Sequence, residues 1–142
     1  MNLKMDSLDR FVTAHEHMYA AALAEIKNGR KQSHWMWYIF PQLLGLGHSD
    51  MAHIYGIVDF AEAKAYLAHP ILSAHLIEIT EALLLHKNEK IENIFGYIDA
   101  MKLRSSMTLF ALASEENMLF QQVLDCFYNG IQDTKTLQLL NM

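Results

Sequence analysis

A single cysteine, Cys126, in a chain of 142 residues leaves no intrachain disulfide to form. None is needed, because a domain near this length buries roughly 70% of the surface its unfolded chain exposes. Val123, Leu124 and Phe127 surround the thiol in sequence, which predicts a buried structural cysteine in a reducing cytosol. Proline is nearly as scarce: Pro41 and Pro70 are the only two. With no Pro/Gly-rich linker, no repeat and no low-complexity stretch, one domain over residues 1–142 is expected.

Charge is also in short supply, at 19% of residues and a formal net charge of -5. An acidic chain whose clearest basic doublet is Arg30-Lys31 has no stripe with which to displace counterions from a nucleic-acid backbone, so nucleic acid is not an expected partner. No segment approaches the ~20 apolar residues that span a bilayer. The start, Met1 to Asp6, lacks the charged-then-apolar layout of a secretion signal. The expectation is a soluble cytoplasmic protein without a membrane partner. What is abundant is apolar: 52% of the residues are hydrophobic, enough to fill a core and leave a pocket or patch over.

Apolar spacing supplies the architecture. Asp6 or Ser7 can cap a first helix whose Leu8, Phe11, Val12, Met18, Tyr19, Leu23 and Ile26 follow three-and-four spacing, with Gly29 as its positive-φ stop. Residues 35–40 form an unbroken apolar run that periodicity cannot assign; Ser33 as a cap favours a short helix over a strand. Ser49 is expected to cap residues 50–55, Asp59 with Glu62 to open a helix to about Ala68, and His69-Pro70 to start one reaching about His86. A short helix from about Glu89 stops at Gly96. Asp99 is placed to cap a helix over 100–113, Glu115-Glu116 to open another ending before Gly130, and Asp133 or Thr134 to cap a last turn. No alternating run or hairpin signal is present. The predicted fold is all-α, a compact multihelical bundle.

Two stretches are dense in chemistry. The first, Gly29 to Gln42, holds both tryptophans, Tyr38, Phe40, His34 and two cations. Drawn as a helix from Ser33, it sets His34, Trp37, Tyr38 and Pro41 on one face. Aromatics beside Arg30 and Lys31 can stack a flat ring and neutralise a phosphate or carboxylate; equally, they can fill the centre of a bundle with the cations solvated. In the second, Asp99 to Phe110, helical spacing aligns Asp99, Lys102, Ser105 and Ser106, and separately Met101, Arg104, Ser105 and Thr108. This is a groove lined by Lys102, Arg104, Ser105 and Ser106, or else a salt-bridged surface stripe. A Ser–Lys nucleophilic pair would need a geometry that spacing does not supply. The eight histidines show no zinc spacing: His15 and His17 are two apart, His48 and His53 five. No metal site is expected, and no cofactor is implied.

The run Gly29-Arg30-Lys31-Gln32-Ser33-His34-Trp35-Met36-Trp37-Tyr38-Ile39-Phe40-Pro41-Gln42 closely resembles a signature of a bacterial family, domain of unknown function 1810, whose members are sometimes mislabelled calpastatin. Asp9-Arg10-Phe11, Gly45-Leu46-Gly47-His48-Ser49, Tyr55-Gly56-Ile57, Glu62 to Pro70, Ile94-Phe95-Gly96, the whole of Asp99 to Phe110, and Asp133 with Thr136-Leu137 fit the same pattern. His15, Ser73, His75 and Tyr97-Ile98 depart from it. The resemblance implies a compact multihelical domain and no particular reaction.

A generic helical core can be built from many aliphatic combinations, whereas these stretches ask for particular polar atoms. The leading expectation is therefore a pocket for an anionic, ring-bearing, nucleotide-like small molecule. Trp35, Trp37 and Tyr38 would stack; Arg30, Lys31, Lys102 and Arg104 would supply charge; Ser33, Gln42, Ser105 and Ser106 would add hydrogen bonds. His34 is the candidate acid or base of a transferase or hydrolase, since imidazole as a type titrates near neutral pH. The alternative is a non-enzymatic module with a structural aromatic core and an exposed aromatic patch that docks a partner protein.

Overall fold

Along α1 (Asp9–Lys27), Phe11, Ala14, His15, Tyr19, Ala22 and Ile26 are buried on one face, the stripe that three-and-four spacing predicts. The structure, a computed structural model, describes residues 8–142; the expected Asp6 or Ser7 cap lies outside them. The end of α1 is built by Gly29 at φ +76, where Arg30 N–H reaches back to Glu25 O at 3.0 Å. His86 Nε2–H donates to Ile26 O at 2.8 Å, which satisfies one of the helix's last carbonyls from a distant turn.

Eight further helices follow among the described residues: α2 (Met36–Ile39), α3 (Asp50–Tyr55), α4 (Phe60–Ala68), α5 (Pro70–Leu84), α6 (Ile91–Phe95), α7 (Tyr97–Ala113), α8 (Leu119–Tyr128) and α9 (Thr134–Leu139). Among the described residues the backbone is otherwise irregular apart from one isolated parallel bridge, Leu43 to Ile57. It needs Gly56, because a Cβ there would meet Leu44 Cα at 2.7 Å. The fold is all-α, and residues 35–40 are a short helix with its flanks.

Four of the expected caps form. Ser49 accepts from Ala52 N–H, Asp59 from Glu62 N–H, His69 Nδ1 from Ile71 and Leu72 N–H, and Asp133 from Thr136 N–H. Three expected starts move. Ser33 caps nothing, since its side chain as well as its N–H turns to Glu25 and α2 opens later, at Met36. Helix α7 begins at Tyr97 behind Gly96 (φ +79), so Asp99 lies in its first turn and is free to pair with lysines. Glu115 and Glu116 stay outside α8, because Ser114 Oγ accepts from Asn117 N–H and Asn117 Oδ1 from Leu119 N–H, tying that stretch into a turn.

Helix α7 runs through the molecule. It packs on α8, α4, α6 and α9, while α1 packs on α5 and α2. Trp35, Tyr66, Phe11, Phe40, Phe110 and Phe120 are the largest fully buried side chains. Cys126 is exposed, which corrects the expected buried thiol: Val123 and Leu124 are buried while position 126 faces outward, its Sγ 3.8 Å from Lys87 O. No helix among the described residues is long and apolar enough to cross a membrane.

Candidate functional site

The first dense stretch is organised around a carboxylate that its own sequence does not contain. Glu25 Oε1, on the last turns of α1, accepts hydrogen bonds from Gln32 N–H at 2.7 Å, Ser33 N–H at 2.8 Å and Trp35 Nε1–H at 3.0 Å. Desolvation works against the charged carboxylate, but bonds from the Ser33 side chain, the Gln32 and Ser33 backbone and Trp35 outweigh it and pull its pKa to about 2. Lys31 is equally occupied: its Nζ donates to Ser33 O at 2.6 Å, pairs with Asp99 Oδ2 at 2.9 Å and lies 4.9 Å from the centroid of the Trp35 ring. Only 7% of the Lys31 side chain is exposed.

Several expected ligand contacts are therefore structural or face elsewhere. Trp35 is fully buried between Phe40 and Phe95, so nothing can stack on it from solvent. Tyr38 is buried, its ring 5.1 Å from Tyr55 and its carbonyl accepting from His15 Nε2–H at 2.7 Å. Tyr38 lines none of the three cavities that Lys102 borders. Ser106 is fully buried, with Oγ among the two buried side-chain atoms that lack a partner among the described residues. Arg30 is exposed and lines none of the cavities described here.

The remaining candidates converge. A groove of about 470 Å³ is lined by His34, Trp37 and Lys31 from the first stretch and by Asp99 and Lys102 from the second. A second, of about 550 Å³, holds Gln42, Lys102, Arg104 and Ser105, with Tyr128 of α8 and Asp133 and Lys135 from around α9. A smaller pocket with room for about one water, between Trp37, Gln42 and Tyr55, also reaches Lys102. Lys102 thus borders all three. Tyr97 and Ile98 line both grooves, and with Met101 they form a ridge exposed by 58% or more at each position.

Electrostatics distinguish the cations here from Lys31. Lys102 Nζ stands 5.3 Å from the Trp37 ring centroid, and its only ion pair among the described residues is a long 3.6 Å contact to Asp99 Oδ1. Asp99 is already shared with Lys31 at closer range. Arg104 touches Asp133 at 3.9 Å, beyond hydrogen-bonding distance, while Asp133 Oδ2 is engaged by Thr136 N–H and Oγ1–H. Donors on Lys102 and Arg104 therefore remain available. Tyr128 OH donates to Ala100 O at 2.5 Å, and burial raises its pKa, so the phenol is a neutral wall of the groove. Among the described residues no three histidine, cysteine or carboxylate side chains gather as metal ligands would.

Sequence reasoning missed Glu92, Tyr97, Ile98, Tyr128 and Lys135 as groove residues. Helical spacing from Lys102 would have reached Ile98, and from Met101 would have reached Tyr97. Residues on α6, α8 and around α9 arrive only through packing against α7 and carry no local signal.

No curated protein matches the chain. Among solved structures, it is similar to the conserved hypothetical protein Rv1873 from Mycobacterium tuberculosis, with a TM-score of 0.92 and 45% identity over 95% of this chain and 96% of that one. The model of the family described as "Protein of unknown function (DUF1810)" matches residues 5–140, and the chain belongs to that family.

Proposed function

We propose that the protein binds an anionic, ring-bearing small molecule at the junction of its two grooves, with the ring against Trp37 and the anion on Lys102. The supporting observation is the state of Lys102. An ammonium has three donors, and this one is partly buried beside an indole face, bordered by concavities on either side and held by one long, shared contact. A fully used structural lysine looks like Lys31; Lys102 does not. Arg104 adds a second cation in the larger groove, and Gln42 supplies an amide whose side chain has no hydrogen-bond partner among the described residues. Ring stacking and a charge-assisted bond at one concave site are the recognition elements of a nucleotide-like ligand.

A reaction at this site would be hydrolysis or group transfer at the bound phosphate, with His34, an exposed residue of the smaller groove, as acid or base. Turnover of a bound nucleotide and its loss in His34→Ala test that step. A protein partner instead of a small molecule is favoured by one feature, the exposed Tyr97, Ile98 and Met101 ridge.

The deciding experiment is a thermal-shift comparison of nucleoside monophosphates with the matching nucleosides, on wild type and Lys102→Met. A saturable ligand raises the melting temperature by mass action. The phosphorylated compounds are expected to shift wild type and the nucleosides to do so less. In Lys102→Met the affinity should fall by roughly ten- to a hundredfold, the value of about 1.5–3 kcal/mol for a hydrogen bond to a charged group. Equal binding of charged and uncharged compounds overturns the reading.

A further inference from the structure

The larger groove carries more than an anion needs. Lys102, Arg104 and Lys135 line it together with the carboxylates of Glu92 and Asp133 and the amide of Gln42. Outside this groove, Glu25 and Lys31 are satisfied internally. Three groups in the groove are not: among the described residues neither Glu92 nor Lys135 has an ion pair or a side-chain hydrogen bond, and the Gln42 side chain likewise has none. Spare acceptors stand beside spare donors.

That mixture restricts the ligand. A long polyphosphate or a stretch of nucleic-acid backbone would set several negative charges against Glu92 and Asp133, where like charges repel. Hydroxyl groups meet the mixture differently, because each donates to a carboxylate and accepts from an ammonium or amide. The smaller groove has another character: Trp37, Phe95, Met36, Tyr97 and Ile98 line it, and two of its charged groups, Lys31 and Lys102, are paired with Asp99. Each groove lies within the size range of a small-molecule site on its own. Lys102, Tyr97 and Ile98 belong to both, so one molecule can occupy the two, with its charge at the joint.

Building on the anion-and-ring reading above, we infer that the ligand has two halves, an aromatic base joined through phosphate to a polyhydroxylated group such as a sugar. The base lies along Trp37, the phosphate meets Lys102 and Arg104, and the hydroxyls reach Glu92, Asp133 and Gln42. Specificity for the second half is held by the carboxylates, and affinity for the phosphate by the cations.

Calorimetric titration separates these elements. The probes are AMP, GMP and UMP against ADP-ribose, GDP-mannose and UDP-glucose, with ATP as the compound that adds charge without hydroxyls. At least one diphosphate sugar is expected to bind about tenfold or more tightly than its monophosphate, the gain set by hydrogen bonds from hydroxyls to charged groups. ATP should show no such gain over AMP. Glu92→Gln, at an exposed position where folding is not at stake, should cut the ratio of diphosphate-sugar to monophosphate affinity several-fold. If the monophosphates bind as tightly as the diphosphate sugars, or ATP binds tightest, the two-part ligand is wrong while the anion-and-ring site stands. If none of the monophosphates or diphosphate sugars binds, the site itself is wrong and both conclusions fall.

Discussion

Residues 30–35 and the outer face of α7 near Lys102 carry the same kinds of side chain, and the protein uses them in opposite ways. In the first region the polar groups of Lys31 and Trp35, and the backbone N–H groups of Gln32 and Ser33, are closed on other protein atoms. Glu25 gathers two backbone N–H groups and the Trp35 indole, and Lys31 is buried between Ser33 O, Asp99 and the Trp35 ring. In the second region Lys102 and Arg104 keep donors in reserve at the edge of open grooves. Asp99 belongs to both, with one oxygen 2.9 Å from Lys31 and the other 3.6 Å from Lys102. A dense polar motif is thus not one site. Part of it builds the wall, and part of it stands in the groove.

The sharpest way to break this comparison is to remove a wall residue. Trp35→Ala takes out the largest fully buried side chain and one of the partners of Glu25. It should cost about 3–5 kcal/mol in denaturant unfolding, by the lost burial and the cavity left behind. Trp37→Ala, on the groove side and only partly buried, should cost clearly less. Equal costs would mean that Trp37 is also structural.

Acid provides the next largest effect, again on the wall side of α2. His15 Nε2–H holds Tyr38 O, its Nδ1 lies 2.9 Å from His75 Nδ1, and the rings of His15, His75 and Tyr19 stack. Since Tyr38 O can only accept, His15 Nε2 carries a proton, and while His15 is neutral the bridging proton belongs to His75. Burial lowers the His15 pKa from 6.5 to about 4 against the pull of the Tyr38 carbonyl, with His75 and His69 adding to the depression. Between those values the unfolded chain takes up a proton that the folded chain refuses. Stability is therefore intact above pH 6.5, falls as pH drops, and is lower by about 3 kcal/mol near pH 4. His15→Gln, whose amide can donate to Tyr38 O and accept from His75, should flatten that slope. Glu25 has the next window: its folded pKa of about 2 against 4.5 gives stability that is lost as pH falls from 4.5 toward 2. Denaturation midpoints at stepped pH check both.

The smallest expected effect on stability lies in the groove. Lys102→Met, at a side chain 28% exposed with a long ion pair, should change unfolding free energy by less than about 1 kcal/mol.

How far the sequence foretold this division follows from what spacing can encode. Three-and-four periodicity carried α1 and the all-α class because it records which face is buried, and the caps at Ser49, Asp59, His69 and Asp133 are local chemistry. Lys102, Arg104 and Ser105 were legible as groove residues because they share one long helix, and His34 and Trp37 do reach the groove. Trp35 and Trp37 could not be separated, because in a four-residue helix nothing local says which indole faces the core. Glu25 was invisible as an organiser: its role depends on the chain turning back at Gly29 and laying residues 32–35 over the last turns of α1. Cys126 misled because apolar neighbours in sequence occupied the buried face of α8 and left its own side outward. Glu92, Tyr128 and Lys135 are brought to α7 by contacts between elements, which no short motif contains.

One paired measurement tests the division most directly: unfolding free energy and nucleotide affinity for Lys31→Met and Lys102→Met. The two lysines share Asp99, lie beside neighbouring tryptophans and differ in whether their donors are used. Lys31→Met should lower stability by about 1–3 kcal/mol, the cost of leaving partly buried partners unmatched, and change nucleotide affinity only a few-fold through the freed Asp99. Lys102→Met should keep stability within about 1 kcal/mol and lose roughly ten- to a hundredfold in affinity. The reverse pattern, with Lys102→Met unfolding the protein or binding nucleotide as well as wild type, would contradict the account.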